Sequence, residues 1–291
     1  MYSYVKTSYI DTLKDKCKAE IIKDSFESAK NANDWVKEKT FGLIKNILSD
    51  DVVTNPENQI LLINALAIDM QWADKFDTMK TTGKPFYTRN GESIIAKTMC
   101  QETTSSNVAY YKNDDITVLT MDLKFYGGRF GVLFEFMAIM PNNNDLSDYV
   151  KNVTREDINN MKWRLNEASS EPYGVKLYIP RFKFSYDLSL KDDLMNLGIK
   201  DVFDKNKSDL SKIADPNFSL YVSNALQKAE IEFSEDGIKA AAASAVEMVA
   251  TKHIPTYPVV VEIDKPFMFI IRDTLRNDIW FTGTVYEPEK Y

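Results

Sequence analysis

Hydrophobic residues recur along this chain with two different periods, and the change of period predicts where helices give way to strands. Residues 31–48 carry apolar side chains close to helical spacing, which predicts an amphipathic helix with Asn31 or Asn33 as its N-cap. Residues 60–72 are nearly all apolar, which is typical of a central strand covered on both faces. The polar Asn64 inside that strand needs a hydrogen-bond partner.

The pattern in the rest of the chain predicts mainly strands, with a few short helices. Gly127 and Gly128 are a hairpin signal between two strands, and Gly198 is a C-cap for the last helix. No repeat, linker or composition break divides the sequence, so we expect one α+β domain over residues 1–291. The predicted strands are residues 94–99, 108–111, 117–125, 129–140, 175–184, 219–233, 259–262, 267–272 and 279–285. The predicted helices after the first are residues 146–150, 155–166 and 188–197.

One segment close to the C-terminus has a pattern with two interpretations. Its small or apolar positions alternate, and they are Ile238, Ala240, Ala242, Ser244, Val246 and Met248. Lys239 and Glu247 fall on the other face of an extended chain, so a strand with one face in a core fits this pattern. The alanine run at residues 240–243 also favours a helix, because alanine is the best helix former. These residues alone leave both structures open.

Charge and hydropathy exclude several classes of partner. The formal net charge is −7 and no basic patch with interleaved aromatics occurs, which argues against binding to nucleic acid or to an anionic membrane. The longest apolar run, residues 60–68, is too short to cross a bilayer. The first residues lack the charged start and apolar stretch of a signal peptide. We therefore expect a folded globular protein.

The inventory of catalytic residue types argues against an enzyme. The single histidine, His253, lies in a polar, proline-containing stretch that offers no buried carboxylate to orient its ring. No close set of residues has zinc-ligand spacing, and neither a Walker A sequence nor a GxGxxG turn is present. Adjacent acids such as Asp192 and Asp193 point apart on a strand or a helix. We expect no catalytic residue, no metal and no cofactor.

Cysteines and glycosylation sequons leave the compartment open. Cys17 and Cys100 are either two buried thiols or one bridge, and free thiols are favoured because two cysteines make no disulfide framework. Sequons occur at Asn152, Asn206 and Asn217, which would carry glycans only in the secretory pathway.

Several short segments, in one order over essentially the whole chain, resemble the serpin family of serine protease inhibitors. The matching residues are 33–36 with Thr40, Gly42 and Ile44; 62–65 with Trp72; Leu190, Leu194, 197–199 and Phe203 with 209–211; 220–223, Lys228, Ala229, Ile231 and Glu232; and Pro266, Phe267, Phe269, Ile271, Arg272 and 281–283. The resemblance implies a serpin fold, which is an α+β fold with a large mixed central β-sheet, smaller sheets and surrounding helices.

In serpins the ambiguous segment is the hinge of the reactive-centre loop, so the resemblance implies a suicide mechanism. A protease cuts the exposed loop, and the freed segment inserts as an extra strand into the main sheet. The loop would comprise residues 235–258. Its hinge would be Glu235, Asp236, Gly237, Ile238, Lys239, Ala240, Ala241, Ala242, Ala243 and Ser244. Ile238 departs from the Thr, Ser or Val usual in inhibitors, and we expect its bulk to slow insertion.

The same resemblance assigns roles to residues of the main sheet. Asn64 would belong to the shutter beneath the sheet and Trp72 to the breach at its top. Gln227 stands where serpins usually have a histidine that bonds to the shutter asparagine, and its amide can also donate and accept.

The reactive bond has two candidate positions. Counting from Gly237 with the family's usual loop length places the cut after Thr251, whereas counting back from Pro266 favours a cut between Lys252 and His253. A cut after Lys252, the favoured position, predicts a trypsin-like target, because the pocket of such a protease holds an acid that pairs with the ammonium group.

Three functions fit the resemblance. The first is inhibition of a serine protease; the alternatives are a non-inhibitory carrier, chaperone or storage role, and an inactive truncated isoform. The match starts about ninety residues into the family, so we expect the first helices to be absent, apolar surface to be exposed and stability to be poor. Loop–sheet self-association is then possible. The family favours an extracellular, secreted protein, with a cytoplasmic one as the alternative.

Overall fold

The computed structural model describes residues 5–104, 106–125, 132–143, 145–168, 174–214, 220–239 and 259–291. The chain forms two compact units, each built from two stretches of sequence. The first unit combines Met1–Ala67 with Ser185–Glu230. The second combines Ile68–Phe184 with Ile231–Tyr291. A single domain over the whole chain stays a prediction.

Helices and strands both occur, as the two hydrophobic periods predict. The helices are α1 (Thr7–Cys17), α2 (Lys30–Lys39), α3 (Asp50–Val53), α4 (Leu146–Asn152), α5 (Arg155–Ala168) and α6 (Lys191–Asn196), with 3₁₀ turns at Thr78–Lys80 and Asp201–Phe203. The strands are β1 (Ile60–Ala67), β2 (Met70–Gln71), β3 (Thr82–Tyr87), β4 (Ser93–Thr103), β5 (Val108–Lys112), β6 (Ile116–Asp122), β7 (Phe134–Pro141), β8 (Val175–Pro180), β9 (Phe182–Ser189), β10 (Val222–Ser234), β11 (Gly237–Lys239), β12 (Val259–Glu262), β13 (Phe267–Asp273) and β14 (Asp278–Val285). Among the described residues, no helix is long and apolar enough to cross a lipid bilayer.

The first unit is built around a parallel strand pair. β1 pairs with the part of β10 that ends at Glu230, and β9 pairs with β10 as well. Apolar side chains of β1 and β10 pack against the ends of α2 and α3, because each strand presents alternate residues to one face. This small core contains Ala29, Leu48, Val53, Leu61, Ile63 and Leu226.

Two predictions about the first unit are wrong. α2 ends at Lys39 and not near residue 48, because Gly42, with φ of 80°, follows in the left-handed region and turns the chain away. Neither asparagine caps the helix, whose N-cap is Ala29. The Asn33 side chain instead accepts hydrogen bonds from the amides of Ile47 and Leu48, at 2.8 and 3.1 Å, and so holds the chain that follows α2.

The predicted strand at residues 60–72 is also different in the structure. It is interrupted at Ile68 and Asp69, which separates β1 from β2. β1 is only partly buried, and its Leu62 is 48% exposed. Within the described residues, β1 pairs with β10. The expectation of a strand covered on both faces is therefore wrong, since an apolar run shows what a strand can bury and not which layers are present.

The second unit contains two further sheets. One is ordered β12-β8-β4-β3, and the other is ordered β14-β13-β7-β6-β5. Alternate residues of β6, β7 and β13 pack against α4 and α5, which gives a core of Val118, Met137, Ile139, Leu146, Ile158, Leu165, Met268 and Ile270. β7 and β13 are buried along their whole lengths.

Helix and strand ends differ from the prediction elsewhere too. The predicted helix at residues 188–197 is shorter, because β9 continues to Ser189 and α6 starts at Lys191. Gly198, with φ of 96°, follows its C-cap. The predicted strand at residues 175–184 is two strands, β8 and β9, divided at Arg181.

Candidate functional site

The hinge segment forms a strand and not a helix in its described residues. β10 turns at Glu235 and Asp236 into β11, which runs back antiparallel with Ser234 opposite Gly237 and Phe233 opposite Ile238. On its other side β11 pairs antiparallel with β2. β11 therefore lies as a short middle strand between β10 and β2, and this part of the chain we call the hinge site.

Glycine is required at the start of β11. Gly237 has a φ of 155°, a backbone angle that residues with a Cβ rarely adopt. A Cβ placed there would lie 2.1 Å from the Met70 carbonyl oxygen and 2.7 Å from Gln71 Cα. Both are backbone atoms of β2 and cannot rotate away, so any larger residue has to separate β11 from β2.

An aromatic cluster underlies the hinge site. Ile238 is fully buried and lies directly opposite Phe233, which places both side chains on the same side of the sheet. The Phe233 ring stacks on Phe182 at 4.7 Å and meets Trp72 edge to face at 5.1 Å. Trp72 is buried, and its indole Nε1 donates to the Ser234 carbonyl at 2.8 Å. The indole therefore links the aromatic core to the last residue before the turn.

Each of the two acidic residues of the turn is paired with a basic side chain. Glu235 is 6% exposed, and its carboxylate accepts from Thr81 Oγ1 at 2.7 Å and from Arg181 Nη1 at 3.2 Å. These donors compensate the cost of burying the carboxylate. Asp236 pairs with Lys75 at 3.1 Å.

Backbone hydrogen bonds fix the same turn to the segment after β2. The Trp72 amide donates to the Asp236 carbonyl at 3.1 Å, and the Phe76 amide donates to the Glu235 carbonyl at 3.0 Å. These bonds satisfy two carbonyls of the turn.

One half-buried carboxyl lies beside this segment. The Asp122 carbonyl accepts from the Ala73 amide at 2.9 Å. Burial, together with the charges of Glu135 and Asp74, raises the pKa of the Asp122 carboxyl to about 6.

Comparison with known proteins identifies the family. A sequence profile described as "Serpin (serine protease inhibitor)" matches residues 3–288. The chain belongs to the serpin family. It is 31% identical over 268 residues to serpin B10 of Sorex araneus, a match that covers 92% of this chain and 64% of that protein. It is 28% identical over 290 residues to glia-derived nexin of Homo sapiens, covering 98% of this chain and 70% of the nexin.

Solved serpin structures share the fold. Native protease nexin-1 with heparin superposes with a TM-score of 0.78 at 25% identity, covering 98% of this chain and 73% of that one. The thermophilic serpin tengpin gives 0.77 at 28% identity, covering 97% and 69%. Human thyroxine-binding globulin complexed with thyroxine gives 0.80 at 22% identity, covering 98% and 72%, and this likeness shows the fold alone. The chain thus spans about two thirds to three quarters of the length of these serpins, and the α+β serpin fold is confirmed.

The two residues that the family resemblance assigns to the shutter are neighbours. Asn64 on β1 lies opposite Gln227 on β10 in the parallel register. Asn64 is exposed, and within the described residues no side-chain hydrogen bond joins it to Gln227. Asn64 needs no protein partner, because an exposed amide is accessible to water.

Several predicted site residues of the serpin lie outside the described residues. They are Ala240, Ala241, Ala242, Ala243, Ser244, Thr251, Lys252, His253 and Asn217. Among the described sequons, Asn152 and Asn206 are exposed. Both cysteines are free thiols, with Cys17 exposed and Cys100 buried. No cluster of metal-ligating side chains occurs in the described part of the chain.

The sequence interpretation missed the residues that hold the turn of the hinge. Thr81, Lys75 and Arg181 come from segments far from residue 235 in the chain, so no local period indicates them. The one available signal was Arg181, a charged residue at the middle of a predicted strand. It divides that strand and is directed at the hinge.

Proposed function

We propose that this serpin is a suicide inhibitor of a serine protease, acting by cleavage and insertion of its reactive-centre loop. The observation that supports this most directly is the position of β11 between β10 and β2, with Ile238 fully buried. We take Ile238 as the first inserting residue, and its burial in a strand supports insertion of the residues that follow. Whether its bulk slows insertion stays a prediction.

The chemistry follows from one bond. The protease serine hydroxyl adds to the carbonyl carbon of Lys252, the peptide bond to His253 breaks, and the new amine leaves with a proton. The loop then remains attached to the protease as an ester. A lysine at this position favours a trypsin-like protease, whose pocket carboxylate pairs with the ammonium group.

Insertion must follow faster than hydrolysis of that ester. Continuation of β11 would place residues 240, 242 and 244 on the same side as Ile238, and all three are small. About a dozen new backbone hydrogen bonds at a net ~1 kcal/mol each supply on the order of 10 kcal/mol. β1 and β10, which pair directly from Ile60 to Ala67, must separate for this to occur.

The test is a covalent complex with trypsin. The protein is incubated with trypsin and analysed on a denaturing gel for a stable complex, and mass spectrometry locates the cut. We expect a complex and a cut after Lys252. Ala242→Glu, predicted to face inward in an extended strand, should abolish the complex while cleavage continues, whereas Ala241→Glu, predicted to face outward, is the matched control and should retain it; neither change creates a new trypsin site.

Two results would contradict the proposal. Cleavage of the unmodified loop without a stable complex favours the carrier, chaperone or storage role. Equal complex formation by the Ala242→Glu and Ala241→Glu variants would show that the alternating faces of the segment do not govern insertion.

We further propose that the protein is extracellular. Asn152 and Asn206 are exposed sequons, and a glycan needs this access. Expression in secreting cells behind a supplied signal peptide, followed by enzymatic removal of N-glycans, should reduce the mass of the secreted chain. An unglycosylated chain retained inside the cells would contradict this.

A further inference from the structure

The C-terminal segment is attached to the residue that holds the hinge. The Glu289 amide donates to the Arg181 carbonyl at 2.9 Å, and the Arg181 amide donates to the Lys97 carbonyl at 2.8 Å. The Lys97 amide donates to the Glu289 carbonyl at 2.8 Å, which completes a ring of three backbone bonds. Next along the chain, the Tyr291 amide donates to the Ile95 carbonyl at 3.0 Å. The last residues are therefore fixed beside β4 and Arg181.

The Arg181 guanidinium lies among three carboxylates. Its Nη1 is 3.2 Å from Glu235, its Nε is 3.2 Å from Glu289, and its Nη2 is 3.9 Å from Glu232. The Nε contact is an ion pair without hydrogen-bond geometry. The Arg181 side chain is 19% exposed and that of Glu235 is 8% exposed, so water screens this pair weakly.

Glu289 is itself held in place. Its Oε1 lies 3.6 Å from Lys97 Nζ, while its Oε2 faces Arg181. Glu232 has its own cation in Lys183, at 2.9 Å. Glu289 therefore lies beside Nε of the Arg181 guanidinium, and Glu235 lies beside Nη1.

We propose that Glu289 is a positioning residue for loop insertion, which orients Arg181 so that its guanidinium keeps the Glu235 turn docked. A guanidinium is planar and rigid, so fixing Nε limits the directions in which Nη1 can donate. Without Glu289, the Arg181 side chain regains rotamers and its bond to Glu235 weakens, while Thr81, Lys75 and the backbone bonds still hold the turn. The effect of this role on loop insertion rests on the proposed function. The docking of the turn can be measured without any protease.

The test compares Glu289→Gln with Glu287→Gln. Glu287 is in the same segment and exposed, and the change in charge is identical, so it is the matched control. Hydrogen–deuterium exchange by mass spectrometry is followed at residues 235–239. We expect Glu289→Gln to raise their exchange rate by about twofold to fivefold, the effect of one ion pair with a partly exposed carboxylate. Glu287→Gln should leave the rate unchanged, and both variants should melt at the same temperature.

A double-variant cycle separates positioning from general loosening of the C-terminus. In a Glu235→Gln background the Arg181 contact to the hinge is already weakened, so adding Glu289→Gln should have little further effect on hinge exchange. An equal increase in both backgrounds, or no increase in the Glu289→Gln single variant, would overturn the inference.

The inhibitory assay keeps this inference distinct from the proposed function. If Glu289→Gln raises hinge exchange and the unmodified protein forms no covalent complex with trypsin, the positioning role stands and the inhibitory function fails. If the complex forms and hinge exchange does not respond, the reverse holds.

Discussion

Ile238 is the residue whose burial most directly tests the docked hinge. It is fully buried at the centre of β11, opposite Phe233 and next to β2. Ile238→Ala removes most of that side chain and leaves a cavity, a change that costs about 2–4 kcal/mol in a protein core. Since β11 is short and ends a hairpin, we expect this loss to fall on the docking of the hinge and to leave global unfolding largely unchanged.

The assay is hydrogen–deuterium exchange at residues 237–239. A loss of about 2–4 kcal/mol in docking corresponds to exchange that is roughly 30- to 700-fold faster, at about 1.4 kcal/mol per tenfold. Ile238→Val, which removes a single methylene group, should give a smaller increase. Ile179→Ala is the control, because Ile179 is equally buried but lies on β8 and should lower the melting temperature without selective exchange at the hinge.

The reasoning fails if hinge exchange in Ile238→Ala stays within twofold of that of the unmodified protein. It also fails if the melting temperature falls as much in Ile238→Ala as in Ile179→Ala while the hinge shows no selective change. Either result would mean that Ile238 burial does not hold β11 between its neighbours.

Two other predictions concern the backbone and the pH dependence of the same unit. Gly237→Ala should release β11, because the new Cβ meets the Met70 carbonyl; Gly91→Ala, also at positive φ but with open space around it, is the control, and limited proteolysis at the hinge measures the difference. Asp122 should make stability fall as pH rises from about 4 through about 6, because its folded pKa is raised by burial and by Glu135. Asp122→Asn should remove this pH dependence. The free energy of unfolding involved is no more than about 1–2 kcal/mol, because solvent screens a partly exposed group. Melting temperatures measured from pH 4 to pH 8 test this.

The alternation of small residues after Gly237 indicated a strand. Residues 237–239, the part of this segment that the structure describes, form strand β11. The pattern did not choose between strand and helix alone, because four alanines satisfy both periods. Pairing with β10 and β2 settles the choice for residues 237–239, since a strand between two neighbours satisfies its backbone groups on both sides.

Helix and strand ends were less predictable than their existence. Asn33 had the residue type of an N-cap, but its side chain holds the backbone of Ile47 and Leu48. An asparagine satisfies any nearby amide, so its partner depends on which chain segment comes close.

The order of family motifs and the acidic charge could both be read along the chain, because each depends on residue identity and spacing alone. The sequence by itself therefore determined the serpin fold, while the place of the hinge and the requirement for small residues there stay predictions from the family resemblance. Only the tertiary structure decided what holds the hinge. Arg181, Thr81 and Glu289 are distant in sequence from Glu235, and no period of the chain encodes a contact between segments that meet only after folding.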